Sequence, residues 1–162
     1  MSNFMIKLDK KRPYRYVFPA RLWDSKYLRF GDPFDVLLDT GSYNTVIHQE
    51  MVVKHGRMLS MKMKTSIGGF RGDANLCILH KIKIGDLEIE KVVALAVPFT
   101  GELKDHILLG ANVTNNWKFA VSRKENMMEI TEQLPDNVPN KDFSYRWCFD
   151  NKGKILAFQG LD

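Results

Sequence analysis

The sequence predicts an all-β domain with one or two short helices. Short segments rich in β-branched, aromatic and other apolar residues recur along the chain, and turn-forming residues separate them. A glycine-rich stretch between two such segments predicts a long β-hairpin. The chain has 162 residues, of which 44% are hydrophobic, so we expect one compact domain with a sizeable core.

The predicted elements follow from local patterns along the chain. Two short helices are predicted at 48–55, with Gly56 as the stop signal, and at 111–117. Turns or loops are predicted at 24–33, 68–72 and 98–105, where glycine, proline, serine and aspartate cluster. The predicted strands are 14–23, 34–38, 45–47, 61–67, 76–84, 87–97, 107–110, 119–121 and 127–131.

The composition changes after Thr131. Residues 132–141 contain two prolines, two asparagines and two acidic residues, which is typical of a linker or loop. Residues 143–149 and 154–159 flank a turn of sequence Asp-Asn-Lys-Gly, which predicts a β-hairpin. The sequence therefore predicts a core domain at 1–131 and a linker with a C-terminal β-hairpin extension at 132–162.

The charge permits contact with nucleic acid but does not imply it. The net charge is +5 and the pI is about 9.2. The most basic stretch contains Lys7, Lys10, Lys11, Arg12 and Arg15, and we interpret it as a solvated terminal strand or arm. No nucleic-acid partner is expected.

We expect a cytoplasmic protein without membrane contact. The first residues carry charges and lack an apolar core of signal-peptide length, and the longest apolar stretch, 92–99, is far too short to cross a bilayer. Cys77 and Cys148 match no metal or redox spacing, so two free thiols are a simpler interpretation than a disulfide. His48 and His55 lack a third ligand at a useful spacing and are interpreted as surface residues, so no metal or cofactor is expected.

The segment most indicative of chemistry is Phe34 to Ser42. A short apolar strand, 34–38, delivers Asp39 at its end, and a hydroxyl residue, a glycine and a second hydroxyl residue follow. Thr40 can bond neighbouring backbone and Gly41 permits a tight turn, so this geometry would hold a carboxylate rigidly. One carboxylate alone does not activate water for peptide hydrolysis, whereas two in close contact can share a proton. An ordinary turn after a buried strand remains the alternative at this point.

The string Leu37-Leu38-Asp39-Thr40-Gly41-Ser42 resembles the active-site signature of aspartic proteases. Two further elements occur in the order found in that family. The glycine-rich stretch 67–72 lies where the family has its flap, and Ile107-Leu108-Leu109-Gly110 resembles its hydrophobic-hydrophobic-glycine element. The resemblance extends over residues 14–131. The chain has one D-T/S-G triplet, as in the retroviral type, the retropepsin-like proteases, in which two identical subunits each contribute one aspartate.

This resemblance implies a retropepsin-like single-lobe acid protease barrel and an aspartic endopeptidase that acts as a homodimer on protein or peptide substrates. Asp39 of each subunit would be catalytic, acting on a shared water without metal or cofactor. Active-site support would come from Thr40, Gly41 and Ser42. The flap residues that would bind substrate are Gly68, Gly69, Phe70, Arg71 and Gly72.

Two departures and two alternatives accompany the resemblance. Many relatives have an arginine after the glycine of the hydrophobic element, whereas this chain has Ala111-Asn112, and the chain ends are longer than in the minimal retroviral enzyme. A catalytically inactive, dimeric peptide-binding or scaffold protein of the same fold is the main alternative. A nucleic-acid-associated β-domain is a further alternative that rests on charge alone.

Overall fold

The computed structural model describes residues 2–12, 15–67, 69–98, 106–132, 148–150 and 152. It contains eleven strands and two one-turn helices within these residues. The helices are α1 (Val52–His55), which follows a 3-10 turn at Gln49–Met51, and α2 (Ala111–Thr114). The strands are β1 (Ser2–Lys7), β2 (Val17–Asp24), β3 (Arg29–Phe30), β4 (Phe34–Leu38), β5 (Thr45–His48), β6 (Gly56–Ile67), β7 (Phe70–Ile84), β8 (Leu87–Val97), β9 (His106–Leu109), β10 (Trp117–Ser122) and β11 (Met127–Glu132). The predicted all-β class with short helices is confirmed.

The larger sheet closes on itself. Its strand order is β3-β2-β4-β9-β5-β8-β7-β6, and a further pairing joins β2 to β7. Strands β4 and β9 are parallel, as are β5 and β8, while β5 and β9 meet antiparallel at one residue pair. The central strands β5 and β9 are buried along their whole length, including the polar residues Thr45, His48 and His106 at their ends.

Alternate residues of these strands supply two separate apolar clusters, because successive side chains of a strand point to opposite faces. The first cluster is the main core and includes Phe18, Leu79, Ile82, Ile107 and Leu109. The second cluster lies on the other face. It is formed by Val46, Ala74, Leu76, Ile78, Val93, Leu95, Val97, Leu108 and Cys148, and residues of the β6–β7 hairpin pack against it.

The N-terminal segment is part of the folded domain. Strand β1 pairs along its length with β11, and β11 pairs with β10, to form a three-stranded sheet. Ile6 and Leu8 are buried in the main core, while Lys7 between them is exposed. The prediction of a solvated terminal strand or arm holds for Lys7, Lys10, Lys11 and Arg15, which are exposed, while the apolar side chains that alternate with the charged ones in β1 reach the core.

Several predicted boundaries shift. Strand β6 begins at Gly56, so this glycine does not act as a left-handed helix stop; its φ of −169° is extended, and a Cβ there would lie 2.2 Å from the carbonyl oxygen of Ile78. The helix predicted at 48–55 is reduced to the 3-10 turn and α1, and α2 ends at Thr114. His48 is buried at the end of β5, where its Nδ1 accepts a hydrogen bond from the backbone N–H of Glu50, so its prediction as a surface residue was wrong.

Three sequence-based expectations concern the C-terminal segment, the two cysteines and the helices. The predicted C-terminal hairpin lies outside the described residues, except for Cys148–Asp150 and Lys152, and stays a prediction. Cys77 and Cys148 are both free and buried, as expected for two thiols. Among the residues described, none of the helices has the length and apolar character needed to cross a membrane.

Candidate active site

Asp39 lies at the carboxyl end of β4, which is an interior strand of the larger sheet. Its position is set by the parallel pairing of β4 with β9, in which Leu38 is opposite Leu109. The backbone N–H of Asp39 donates to the carbonyl oxygen of Leu109 at 3.0 Å. The residue is half-buried, so its carboxylate is at the boundary between the sheet and solvent.

The turn that follows Asp39 is held by hydrogen bonds from its second hydroxyl residue. The N–H of Ser42 donates to the carbonyl oxygen of Asp39 at 3.2 Å, and its Oγ–H donates to the carbonyl oxygen of Asn44 at 2.9 Å. A Cβ on Gly41 would lie 3.6 Å from Oδ1 of Asp39, so this glycine lies directly against the carboxylate. Thr40 is exposed. In the described part of the chain, no side-chain hydrogen bond or ion pair reaches the Asp39 carboxylate.

The hydrophobic-hydrophobic-glycine element lies directly behind this turn. The N–H of Ala111 donates to the carbonyl oxygen of Ser42 at 2.7 Å, and the N–H of Asn112 donates to that of Tyr43 at 2.9 Å. A Cβ on Gly110 would lie 2.4 Å from both the carbonyl carbon and the oxygen of Asn44. Only glycine allows this approach of two backbone segments, which explains the residue type at position 110.

Asn112 supplies a buried bracing interaction. Its Oδ1 accepts hydrogen bonds from the N–H of Thr45 at 3.0 Å and from the Oγ1–H of Thr45 at 2.8 Å, and its Nδ2 donates to Val93 at 2.8 Å. Asn112 thus ties the start of β5, which directly follows the Asp39 turn, to β8. Ala111 occupies the position at which many relatives have an arginine, and the contacts described here are made by the next residue, Asn112.

The β6–β7 hairpin corresponds to the predicted flap. Ile67 of β6 pairs with Phe70 of β7, so the strands extend further than predicted and Phe70, Arg71 and Gly72 belong to β7 and not to a turn. Gly69 has a φ of +83°, which the tight connection requires, whereas Gly68 lies outside the described residues. Phe70 is half-buried and packs against the second cluster, while Arg71 is exposed.

The sequence-based prediction missed Asn44. This residue is 5% exposed, and its carboxamide binds both backbone groups of Phe149: Nδ2 donates to the carbonyl oxygen at 3.0 Å, and Oδ1 accepts from the N–H at 2.8 Å. No local pattern links positions 105 residues apart, so no sequence signal was available. The predicted site residues Asp39 to Ser42 form one turn, and their catalytic roles stay predictions.

Comparison with known proteins supports one family. A family model described as gag-polyprotein putative aspartyl protease matches residues 30–116, which include Asp39, the hairpin and Gly110. Among solved structures, the chain is similar to a retropepsin-like aspartic protease from Rickettsia conorii, with 18% sequence identity and a TM-score of 0.48 over 80% of this chain and 90% of that chain. No curated protein matches the chain. Since the family model covers more than half of the sequence, the chain belongs to the gag-polyprotein putative aspartyl protease family.

Proposed function

We propose that the chain is an aspartic endopeptidase whose active site is completed by Asp39 from each of two identical subunits. The observation that carries the proposal is the half-buried Asp39 carboxylate at the end of β4, which no side chain of the described residues binds. A single such carboxylate lacks the second group that peptide hydrolysis requires. A two-fold axis beside Asp39 supplies it from the same sequence position.

The chemistry follows from the close contact of two carboxylates. Like charges at that distance cannot both ionise at low cost, so the pair holds one proton. The ionised carboxylate takes a proton from a water, which attacks the scissile carbonyl carbon, and the protonated carboxyl group donates its proton to the carbonyl oxygen. Ser42 orients this side of the site through the backbone of Asp39. The β6–β7 hairpin covers an extended peptide, with its backbone groups available for pairing.

The first experiment is digestion of a peptide library between about pH 3 and pH 8, a range that spans carboxylate titration. Wild type is compared with Asp39→Asn and with Asp35→Asn. Asp35 is a control carboxylate on the same strand; it lies 3.4 Å from Arg12, in a partly exposed ion pair of small energetic value. We expect wild type and Asp35→Asn to cleave and Asp39→Asn to be inactive. Unchanged cleavage by Asp39→Asn would contradict the catalytic assignment.

Subunit mixing tests the shared site. If dimers exchange at random, an equimolar mixture of wild type and Asp39→Asn retains about one quarter of the activity of the same total amount of wild type, because only dimers with two aspartates act. Subunits that act independently would retain about half. Sedimentation should show a species of about twice 18.7 kDa at concentrations where the specific activity is highest. A strictly monomeric, fully active protein would exclude the shared site.

Peptide binding without cleavage at any pH would favour the alternative of a catalytically inactive peptide-binding dimer. The hydrogen bonds between Asn44 and Phe149 support this alternative, because they hold a peptide backbone next to the Asp39 turn. The digestion, together with a measurement of peptide binding by the same wild-type protein, separates the two functions.

A further inference from the structure

The residues Cys148 to Asp150 of the C-terminal segment lie against the turn that carries Asp39. The Asn44 carboxamide bonds to both the N–H and the carbonyl oxygen of Phe149. A carboxamide that binds both backbone groups of one residue recognises an extended chain without regard to its side chain. This pair of hydrogen bonds is therefore suited to hold a peptide.

The side chain before Phe149 enters an apolar pocket. Cys148 is fully buried in the second cluster with Val46, Leu76 and Leu108. The hairpin residues Ile67 and Phe70 pack against the same cluster. Floor residues of the sheet and flap residues of the hairpin thus both contribute to the environment of one residue of the C-terminal segment.

The site is directly connected to the candidate catalytic turn. Asn44 follows Asp39 by five residues, and Ser42 bonds to the backbone of both. The centroid of the Phe149 ring lies 5.8 Å from that of the Tyr43 ring, and Tyr43 is 56% exposed. The segment therefore contacts the turn through its backbone, one buried side chain and one aromatic contact.

We propose that Asn44 and the second cluster form a peptide-binding subsite beside Asp39, and that the chain's own residues 148–150 fill this subsite and compete with peptides from solution. The inference rests on the proposed function, since a peptide held there would be presented to Asp39. The preferred ligand is an extended peptide with a small apolar residue for the pocket, followed by an aromatic residue that contacts Tyr43.

Tethering explains why such a segment is an effective competitor. A segment linked to its own site has an effective concentration on the order of 1 mM, so a peptide with an intrinsic Kd of about 0.1 mM would bind the intact site roughly tenfold more weakly. Release of the segment would therefore raise the affinity for external peptide by about the same factor.

The test measures binding of a fluorescent peptide of residues 145–152 by anisotropy, with Asp39→Asn in every protein so that no cleavage occurs. Cys148→Asp places a charge in the second cluster and should expel the segment. Lys152→Asp is the matched control, because it introduces the same side chain at an exposed position of the same segment. We expect Cys148→Asp to bind the peptide about tenfold more tightly than the control, and the further change Asn44→Ala to remove most of that gain. Equal affinity of the two Asp variants would overturn the inference.

A second measurement does not depend on the stability of the Cys148→Asp protein. Alkylation of each thiol in the Asp39→Asn protein is followed by mass spectrometry with increasing concentrations of the same peptide, synthesised with alanine in place of cysteine. We expect the labelling rate of Cys148 to rise with peptide while that of Cys77, buried within β7, stays constant. A labelling rate of Cys148 that does not change at saturating peptide would also overturn the inference.

Cleavage is assayed separately with Asp39 intact. Tight binding by Cys148→Asp without cleavage supports the subsite and contradicts the endopeptidase proposal. Cleavage by wild type that Cys148→Asp does not increase, together with equal binding by the two Asp variants, contradicts the subsite and leaves the endopeptidase proposal standing.

Discussion

The substitution Gly110→Ala tests how the candidate active site is assembled. The added Cβ would lie 2.4 Å from the carbonyl carbon and oxygen of Asn44 and 2.8 Å from the backbone nitrogen of Thr45. All three atoms are backbone, so no side chain can rotate away to relieve the overlap. The turn after Asp39 must instead separate from the β9–α2 connection.

The cost has two parts. Overpacking against a rigid neighbour destabilises by about 1–3 kcal/mol. The separation also weakens two hydrogen bonds, from the N–H of Gly110 to Oγ1 of Thr45 at 3.2 Å and from the N–H of Ala111 to the carbonyl oxygen of Ser42 at 2.7 Å. Each such bond is worth about 1 kcal/mol. We therefore expect Gly110→Ala to lower the free energy of unfolding by about 3–5 kcal/mol, and to lower Tm by about 6–20 °C.

The assay is urea denaturation and thermal unfolding of Gly110→Ala against Gly31→Ala. Gly31 is a matched control because a Cβ there would meet no atom closer than 3.8 Å, and no positive φ is required. We expect the control to lie within about 0.5 kcal/mol of wild type. If Gly110→Ala were as stable as Gly31→Ala, the close approach of the two backbone segments would be refuted, and with it the explanation of how Asp39 is positioned.

Three further predictions concern the buried network, the thiols and the N-terminal strand. Asn112→Asp removes the donor to Val93, so we expect a loss of about 3–5 kcal/mol of unfolding free energy at pH 7. Part of this loss should be recovered in acid, where the protonated carboxyl group can donate again. A difference in unfolding free energy between wild type and Asn112→Asp that stays the same at all pH values would contradict this. Burial raises the pKa of the Cys77 thiol to about 12 against a weaker opposing effect of its hydrogen bond to Ala94. The stability that the neutral buried thiol contributes is therefore complete below the unfolded thiol pKa of about 8.5 and declines above it, by about 2 kcal/mol at pH 10. In urea titrations, the free energy of unfolding of Cys77→Ala should fall correspondingly less between pH 8 and 10 than that of wild type. An equal fall in both proteins would refute the burial argument. Ile6→Ala should cost about 2–5 kcal/mol by the same measurement, while the exposed Met5→Ala should cost little; equal effects would show that β1 is not part of the core.

Much of the local structure could be predicted from sequence. Strands β4 and β8 have the predicted bounds, because both segments are rich in apolar and β-branched residues and turn residues flank them. The prediction at Gly56 failed because glycine occurs both at helix ends and where two backbone segments approach closely. Gly56 was predicted to end a helix, but it begins β6, where a close contact with the backbone of Ile78 excludes any side chain.

The sequence by itself determined the fold class, the position of the candidate carboxylate Asp39 and the glycine-rich hairpin, because strand periodicity and turn chemistry are local properties. The tertiary structure decided which distant residues meet: the core position of β1, the bracing of Thr45 by Asn112, and the binding of Phe149 by Asn44. These contacts join residues separated by 67 to more than 100 positions, and each depends on the register of several strands at once. Local sequence patterns do not specify that register, because it is set by pairing between strands that are distant in sequence, such as β1 with β11 and β2 with β7.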